Sequence, residues 1–227
     1  MELGRLCPGK AAGPDGVCPW LLRDCAAELC QPLHKIFNLS LQLGRVTALW
    51  KTSCIVPVPK TKCPAELNDY RPVALTSHIM KTLEQLILRL LRSEVKDKLD
   101  SLQFTYKEHI GVDDAVLYML HRVLSHLEEP GVYVRIMFFD FSSAFNTIQP
   151  TILKDKLTKM GVDPSCVSWI TDYLTGRPQF VRLRNCVSGT LMSSTGAPQG
   201  TVLTPFLFPL YMSDLKYSTE SCHIQKN

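Results

Sequence analysis

The sequence predicts an α+β fold, helix-rich with a small antiparallel sheet, on three observations. Several segments repeat apolar residues at helical spacing; two shorter stretches are rich in β-branched residues or alternate in polarity; and the two kinds do not take turns as regular βαβ units. The chain has 227 residues, 45% apolar and 20% charged. That is enough for one large domain or two lobes sharing a core.

Residues 10–16 (Lys10-Ala-Ala-Gly13-Pro14-Asp15-Gly16) form a turn-rich loop, since Gly-Pro and Asp-Gly favour tight turns. Pro19 suits the first turn of a helix carrying Leu21, Leu22, Cys25 and Leu29. A second helix is expected over 32–43, stopped by Gly44. Residues 53–59 mix β-branched residues with prolines and read as an edge strand. The clearest helix covers 77–99, with Ile79, Leu83, Leu86, Ile87, Leu90 and Val95 in register. Another covers 113–127, with Val116, Leu120, Val123, Leu124 and Leu127 on one face. The apolar run 132–139 reads as a largely buried strand ending abruptly at Asp140. Two short helices start at Pro150 and Pro164 and are closed by Gly161 and Gly176. A hairpin pairs 179–184 with 190–195, and a last helix follows Gly200.

Composition narrows the function classes. A net charge of +4 supports nucleic acid only weakly and gives no reason to expect an acidic membrane surface as partner. Nine cysteines, none in a C-x-x-C pair, suggest free thiols in a reducing compartment. No segment resembles a signal peptide or a membrane span, so the expectation is a soluble, intracellular protein. The six histidines show no zinc-ligand spacing; His121 and His126 read as surface residues and Cys25 and Cys30 as helix-packing thiols.

Four places carry chemistry. Asp140 closes the predicted strand, and the chain turns away at once through Phe141 and Ser142. A carboxylate at such an edge suits a divalent ion in nucleotidyl transfer, and equally suits a cap on the next turn. Thr195-Gly196-Ala197-Pro198-Gln199-Gly200 is a loop whose backbone can approach a planar ligand, with a helix N-terminus directly after it; as a bare pattern it is a turn before a helix. Lys60 and Arg71, around Asn68-Asp69-Tyr70-Arg71-Pro72, offer charge for a triphosphate or are solvated surface charges. On the strand 180–184, period-two alternation puts Phe180, Arg182 and Arg184 on one face. That face suits a nucleic-acid backbone and a stacked base as well as it suits plain solvent.

Wording and order together are more specific than any one motif. Lys10-x-x-Gly-Pro-Asp-Gly16, Ile55-Val-Pro-Val-Pro-Lys60, Asn68-Asp-Tyr-Arg-Pro72, Phe138-Phe-Asp-Phe-Ser-Ser-Ala-Phe-Asn-Thr-Ile148 and Gly196-Ala-Pro-Gln-Gly200 together resemble the reverse transcriptase of non-LTR (LINE-type) retrotransposons, from about residue 10 to 226. The resemblance implies the fingers (residues 1–130, with the N-terminal loop and helices) and an incomplete palm (131–227) of a right-hand polymerase. Such an enzyme copies an RNA template from a DNA primer, using dNTPs and Mg2+. It implies that Asp140 is the first metal-binding aspartate and that the Phe141 carbonyl is a further metal ligand. Phe145 resembles the steric gate that excludes a ribose 2′-hydroxyl, Gln199 and Gly200 face the nucleotide, and Lys60 and Arg71 grip its triphosphate.

The sequence also departs from the family. A Phe/Tyr-Ala-Asp-Asp strand-turn-strand is expected after the last helix. Residues 221–226 resemble its lead-in, and Asn227 stands where the aromatic belongs. Two catalytic carboxylates are thus not encoded, neither Asp172 nor Asp214 is expected to replace them, and the chain is expected to be inactive alone. In 104–112, Lys107 keeps one charge of a segment that is usually more basic, and Pro209 interrupts the last helix at a cost of roughly 3 kcal/mol. The alternative reading is a catalytically dead retroelement remnant that only binds nucleic acid.

Overall fold

The fold was obtained as a computed structural model and is described for residues 2–107, 110–141, 143–215 and 223–226. Ser142, residues 108–109, 216–222 and Asn227, which bear on several of the motifs above, lie outside the described residues.

The chain opens with α1 (Pro19–Asp24), α2 (Ala26–Leu43) and α3 (Ala48–Lys51). Pro19 stands at the start of α1, where a missing N–H costs nothing. The predicted helix boundary at Pro32 is corrected: α2 begins at Ala26 and runs through Pro32. Leu33 and Phe37 on the same helix are buried, and packing of that face outweighs one lost backbone bond. Gly44 ends α2 with φ +60°, while Arg45 N–H returns to the Ser40 carbonyl at 3.0 Å.

Strands β1 (Ser53–Pro59) and β2 (Tyr70–Leu75) pair antiparallel along their length, with Cys54 opposite Leu75 and Pro57 opposite Pro72. Helix α4 (His78–Val95) follows, capped by Ser77, whose hydroxyl accepts from Met80 N–H. Met80, Leu83, Leu91 and Val95 are fully buried on one stripe, while Leu86 and Leu90 are 40% exposed. Helix α5 (Val112–Leu127) comes next.

Helices α6 (Pro150–Lys159) and α7 (Pro164–Leu174) start and stop as expected. Asp163 accepts from Ser165 and Cys166 N–H, and Gly161 and Gly176 take positive φ. Helix α7 packs against α2 and α6. Trp169 stacks on Tyr173 at 5.5 Å and donates its indole N–H to Ser40. Lys51 and the Val46 N–H both bind the Asp172 carboxylate, tying α3 to α7. Last come β3 (Arg177–Leu183), β4 (Cys186–Val187), β5 (Leu191–Ser193) and α8 (Thr204–Tyr211). The core lies among α4, α6, α7 and α8, with Leu22, Leu33 and Phe37 closing one side.

Four strand expectations are corrected. The sheet is mixed rather than antiparallel, ordered β2-β1-β3-β4, with β5 also on β3. Its β1–β3 pairing is parallel and confined to Ser53–Ile55 against Gln179–Val181, so β1 is an inner strand at its start. Its prolines fall further on, where only β2 pairs, so the missing donors do no harm. The hairpin is tighter than expected: β3 turns through Arg184 and Asn185 into β4, and β5 then returns to the start of β3. Arg184, at φ +54°, belongs to that turn and not to the Phe180–Arg182 face.

The largest correction concerns 132–139. This run forms no strand, and Met137, Phe138 and Phe139 are 76–82% exposed. An apolar strand is stable only when neighbours pair its edges and cover its faces. Among the described residues no strand pairs with it. The apolar face of α5 is bare as well, with Val116, Leu120, Leu124 and Leu127 exposed and Ala115 its one buried residue among those described. The two faces therefore contribute little to holding this domain together. Leu153→Ala, in the core, is expected to cost about 2–5 kcal/mol in urea unfolding, whereas Leu124→Ala on α5 stays within about 0.5 kcal/mol.

Candidate functional site

The loop 196–200 is built by close approach. Gly196 has φ +68°, and a Cβ there would lie 2.9 Å from Asn146 Cα and 3.1 Å from the Phe145 and Asn146 carbonyl oxygens. Only glycine lets the two backbones meet. The approach is used at once: Gly196 N–H donates to Ile148 at 2.7 Å and Ala197 N–H to Phe145 at 2.8 Å. At its far end, the Gln199 carbonyl accepts from Ala74 N–H of β2 at 2.8 Å. Gly200, at φ +96°, lies too near the Ala74 carbonyl for a comfortable side chain, at 3.2 Å. The loop thus bridges the turn around Phe145 and the two-stranded β1–β2 arm.

Helix α8 adds an aromatic platform. Phe208 receives the rings of Phe141 and Phe145 edge-on, at 5.7 and 6.0 Å. Asp140, beside Phe141, is exposed. The structure therefore gathers Phe141, Phe145, Gln199 and Gly200 in one region, with Asp140 adjoining through the chain.

The basic residues are arranged along the β1–β2 arm. Arg71 is exposed opposite Val58, three residues and roughly 10 Å along β2 from Ala74. Lys60 donates its N–H to the Asp69 carbonyl and its ammonium to the Asn68 carbonyl. The Asp69 carboxylate folds the turn between them by accepting from Ala65 and Glu66 N–H, which hold it below the usual carboxylate range. Phe180 is half-buried, while Arg182 and Arg184 are exposed at the far tip of the sheet. Arg182 lies on the β3–β4 hairpin, next to Val181, which the register places across β1 from Ala74.

Two charged residues that the sequence reading passed over hold the loop from behind. The buried Arg177 guanidinium donates to the Thr195 carbonyl at 2.6 Å and to Gly196 at 3.0 Å. Glu84 of α4, fully buried, accepts from Val202 and Leu203 N–H at 2.7 and 3.0 Å, where the chain enters α8. Burial pushes its carboxyl up to about 7, against the pull of those two amides and of Lys81. Glu84 stands three residues after Lys81 inside the α4 apolar stripe, and a charge at a stripe position was the available signal.

Other acidic groups are engaged elsewhere. Asp172 binds Lys51, and Asp214 pairs with Lys156, which holds it below its ordinary range. Lys107 donates to the Asp100 and Ser101 carbonyls and stitches its own turn. An open cleft of about 640 Å3 lies between Asn146, Thr147 and Thr195 but is lined by none of the expected site residues. Among the described residues, no three His, Cys, Asp or Glu side chains gather where a metal ion could be held. One exposed aspartate does not amount to a two-ion site.

The profile of the family described as reverse transcriptase (RNA-dependent DNA polymerase) matches residues 58–226. The chain belongs to the reverse transcriptase family. Its relatives place it on the non-LTR, LINE-type branch. It is 28% identical over 209 residues to the probable RNA-directed DNA polymerase from transposon BS of Drosophila melanogaster, covering 91% of this chain and 23% of that protein. It is 29% identical over 216 residues to the RNA-directed DNA polymerase from mobile element jockey of Drosophila funebris, covering 94% and 23%. It is 24% identical over 216 residues to the Pol polyprotein of the retrotransposable element R2DM, covering 95% and 20%. This reverse transcriptase domain therefore spans about a quarter or less of the length of these relatives.

Gly196→Ala is expected to destabilise this reverse transcriptase domain by about 2 kcal/mol or more, since backbone must move. Gly189→Ala, which meets nothing within 4 Å, stays within about 0.5 kcal/mol in the same urea titration.

Proposed function

We propose that this chain supplies the nucleotide-facing part of an RNA-directed DNA polymerase, with residues 1–130 as N-terminal loop, helices and fingers and 131–227 as part of the palm. The observation that carries this reading is the hydrogen-bonded junction of the Phe145 turn with the 196–200 loop, beside Asp140 and under the β1–β2 arm.

In this arrangement Gln199 and Gly200 offer backbone and side-chain contacts to an incoming dNTP. Phe145, fixed against Phe208, fills the space a 2′-hydroxyl would need. The site then discriminates by exclusion, which costs a ribonucleotide a clash that a deoxynucleotide avoids. Arg71 and Lys60 sit on a two-stranded arm that can close over the triphosphate. Asp140 and the Phe141 carbonyl would contribute to holding Mg2+, but one exposed aspartate does not complete the two-ion site that nucleotidyl transfer needs. The β3–β4 tip, with Arg182 and Arg184, touches the phosphates of the RNA template or DNA primer as a point of electrostatic attachment.

The donor set around Asp140 supports a further part of the proposal: by itself this polypeptide binds nucleic acid without turning over. Purified protein given primed RNA, dNTPs and Mg2+ is expected to extend no primer within the detection limit of a radiolabelled gel, and visible extension would refute this. RNA affinity is expected to fall as salt rises, and Arg182→Ala or Arg184→Ala each to reduce the log–log salt slope by about 0.7. A slope unchanged in both variants would remove the hairpin tip from the interface.

A further inference from the structure

The loop that carries Gln199 is held by groups of opposite polarity at its two ends. Arg177 donates to the carbonyls of Thr195 and Gly196 at its start. Glu84 accepts from the amides of Val202 and Leu203 at its finish. Between them Tyr173 is buried, close enough to both charges that Glu84 drives its hydroxyl further above the ordinary range than burial alone. Thr201 closes the set: its hydroxyl donates to the Pro198 carbonyl and shares a hydrogen bond with the Thr204 hydroxyl. One Glu84 oxygen holds both amides, while the other and the Tyr173 hydroxyl lack a hydrogen bond of ordinary geometry. A fully buried carboxyl whose second oxygen has the Tyr173 hydroxyl for company is an expensive way to fill a core position. Leucine would pack there; it could not reach the two amides.

We propose that Glu84 is a positioning residue: its buried carboxyl clasps the entry to α8 and so fixes the Gly196–Gly200 loop between Phe145 and strand β2. The clasp is a property of the loop's geometry. Only its consequence for nucleotide binding rests on the function proposed above.

The clasp is also sensitive to pH. The titratable groups that face it are Lys81, on its own helix, with Lys10 beyond it, and Tyr173 from α7, which in turn faces Arg177 of β3. In the folded protein Glu84 titrates at about 7, above its ordinary 4.5. The closed state therefore holds a proton that the opened state releases between those values, and closure weakens as pH rises from about 4.5 to 7.

The test is amide hydrogen exchange, corrected for intrinsic rates. In Glu84→Ala, exchange at Val202, Leu203 and Ala74 is expected to accelerate by about 10- to 100-fold, while α6 amides such as Leu157 keep their wild-type protection. Glu84→Gln, which retains an acceptor, restores protection to within about threefold. Uniform acceleration across the domain, or none at these three amides, would overturn the proposal. Should Glu84→Ala fail to fold, wild type and Glu84→Gln decide it: wild-type protection at Val202 and Leu203 falls about 10- to 100-fold from pH 5 to 7.5, and the glutamine variant stays flat. Equal pH dependence in both would sink the clasp. Titration with a fluorescent dNTP and Mg2+ reads the consequence separately. If Glu84→Ala frees the amides yet leaves dNTP affinity unchanged, the clasp stands and the nucleotide-facing reading of Gln199 falls.

Discussion

Two backbone hydrogen bonds, Gly196 to Ile148 and Ala197 to Phe145, join loops that are about fifty residues apart in sequence, and the site exists only because they form. Closing a loop of that length carries an entropic cost that two bonds on exposed peptide would not offset. Here the junction is roofed by buried groups. Ile148 is fully buried, Ala197 nearly so, and Phe208 receives Phe145 from the α8 side. The requirement for glycine at 196 follows from the same geometry, since the peptides can meet only where no side chain intervenes. The turn around Phe145, the loop around Gln199 and the entry to α8 are in effect one folded unit.

That unit is expensive in buried charge. Arg177 and Glu84 both lie in the interior, and burial shifts each toward its neutral form. Two apolar residues would make a more stable core at lower cost. They would also leave the Thr195 and Gly196 carbonyls and the Val202 and Leu203 amides unpaired, each at about 1–3 kcal/mol. A non-regular loop crossing a hydrophobic interior cannot satisfy its own backbone, so side chains of the right polarity must do so at each end. The placement of a donor at the carbonyl end and an acceptor at the amide end is what an irregular segment next to a helix start demands.

Features set by local chemistry were legible in the sequence. Gly44, Gly161 and Gly176 as stops, and Pro19, Pro150 and Pro164 at helix starts depend on neighbours within a few residues, and all appear where expected. The motif loops were legible for a similar reason, since Gly196 and Gln199 announce a special backbone. Features set by partners were not. Pro32 marks a helix start in isolation but lies inside α2, because the faces of α1, α2 and α7 were unknown to the local pattern. The β1 prolines suggested an edge without revealing that one end of the strand is inside the sheet. Residues 132–139 have every local attribute of a strand, and pairing is not a local attribute. Glu84 and Arg177 were hidden because their partners are backbone atoms more than a hundred residues away for one and nearly twenty for the other.

The two halves of the site consequently differ in what holds them. The Gln199 loop is fixed by bonds to the Phe145 turn, to β2, to α4 and to β3, all within the described residues. Asp140 follows ten exposed or half-exposed residues that pair with no strand among the described residues, anchored nearby by the Phe141–Phe208 ring contact. Catalytic groups need placement within about 0.5 Å, which rigid, paired elements provide and unpaired strands do not. The loop is thus held by its own contacts, while the 132–141 run and the apolar face of α5 lie largely exposed. The match to the reverse transcriptase family runs through both, over residues 58–226.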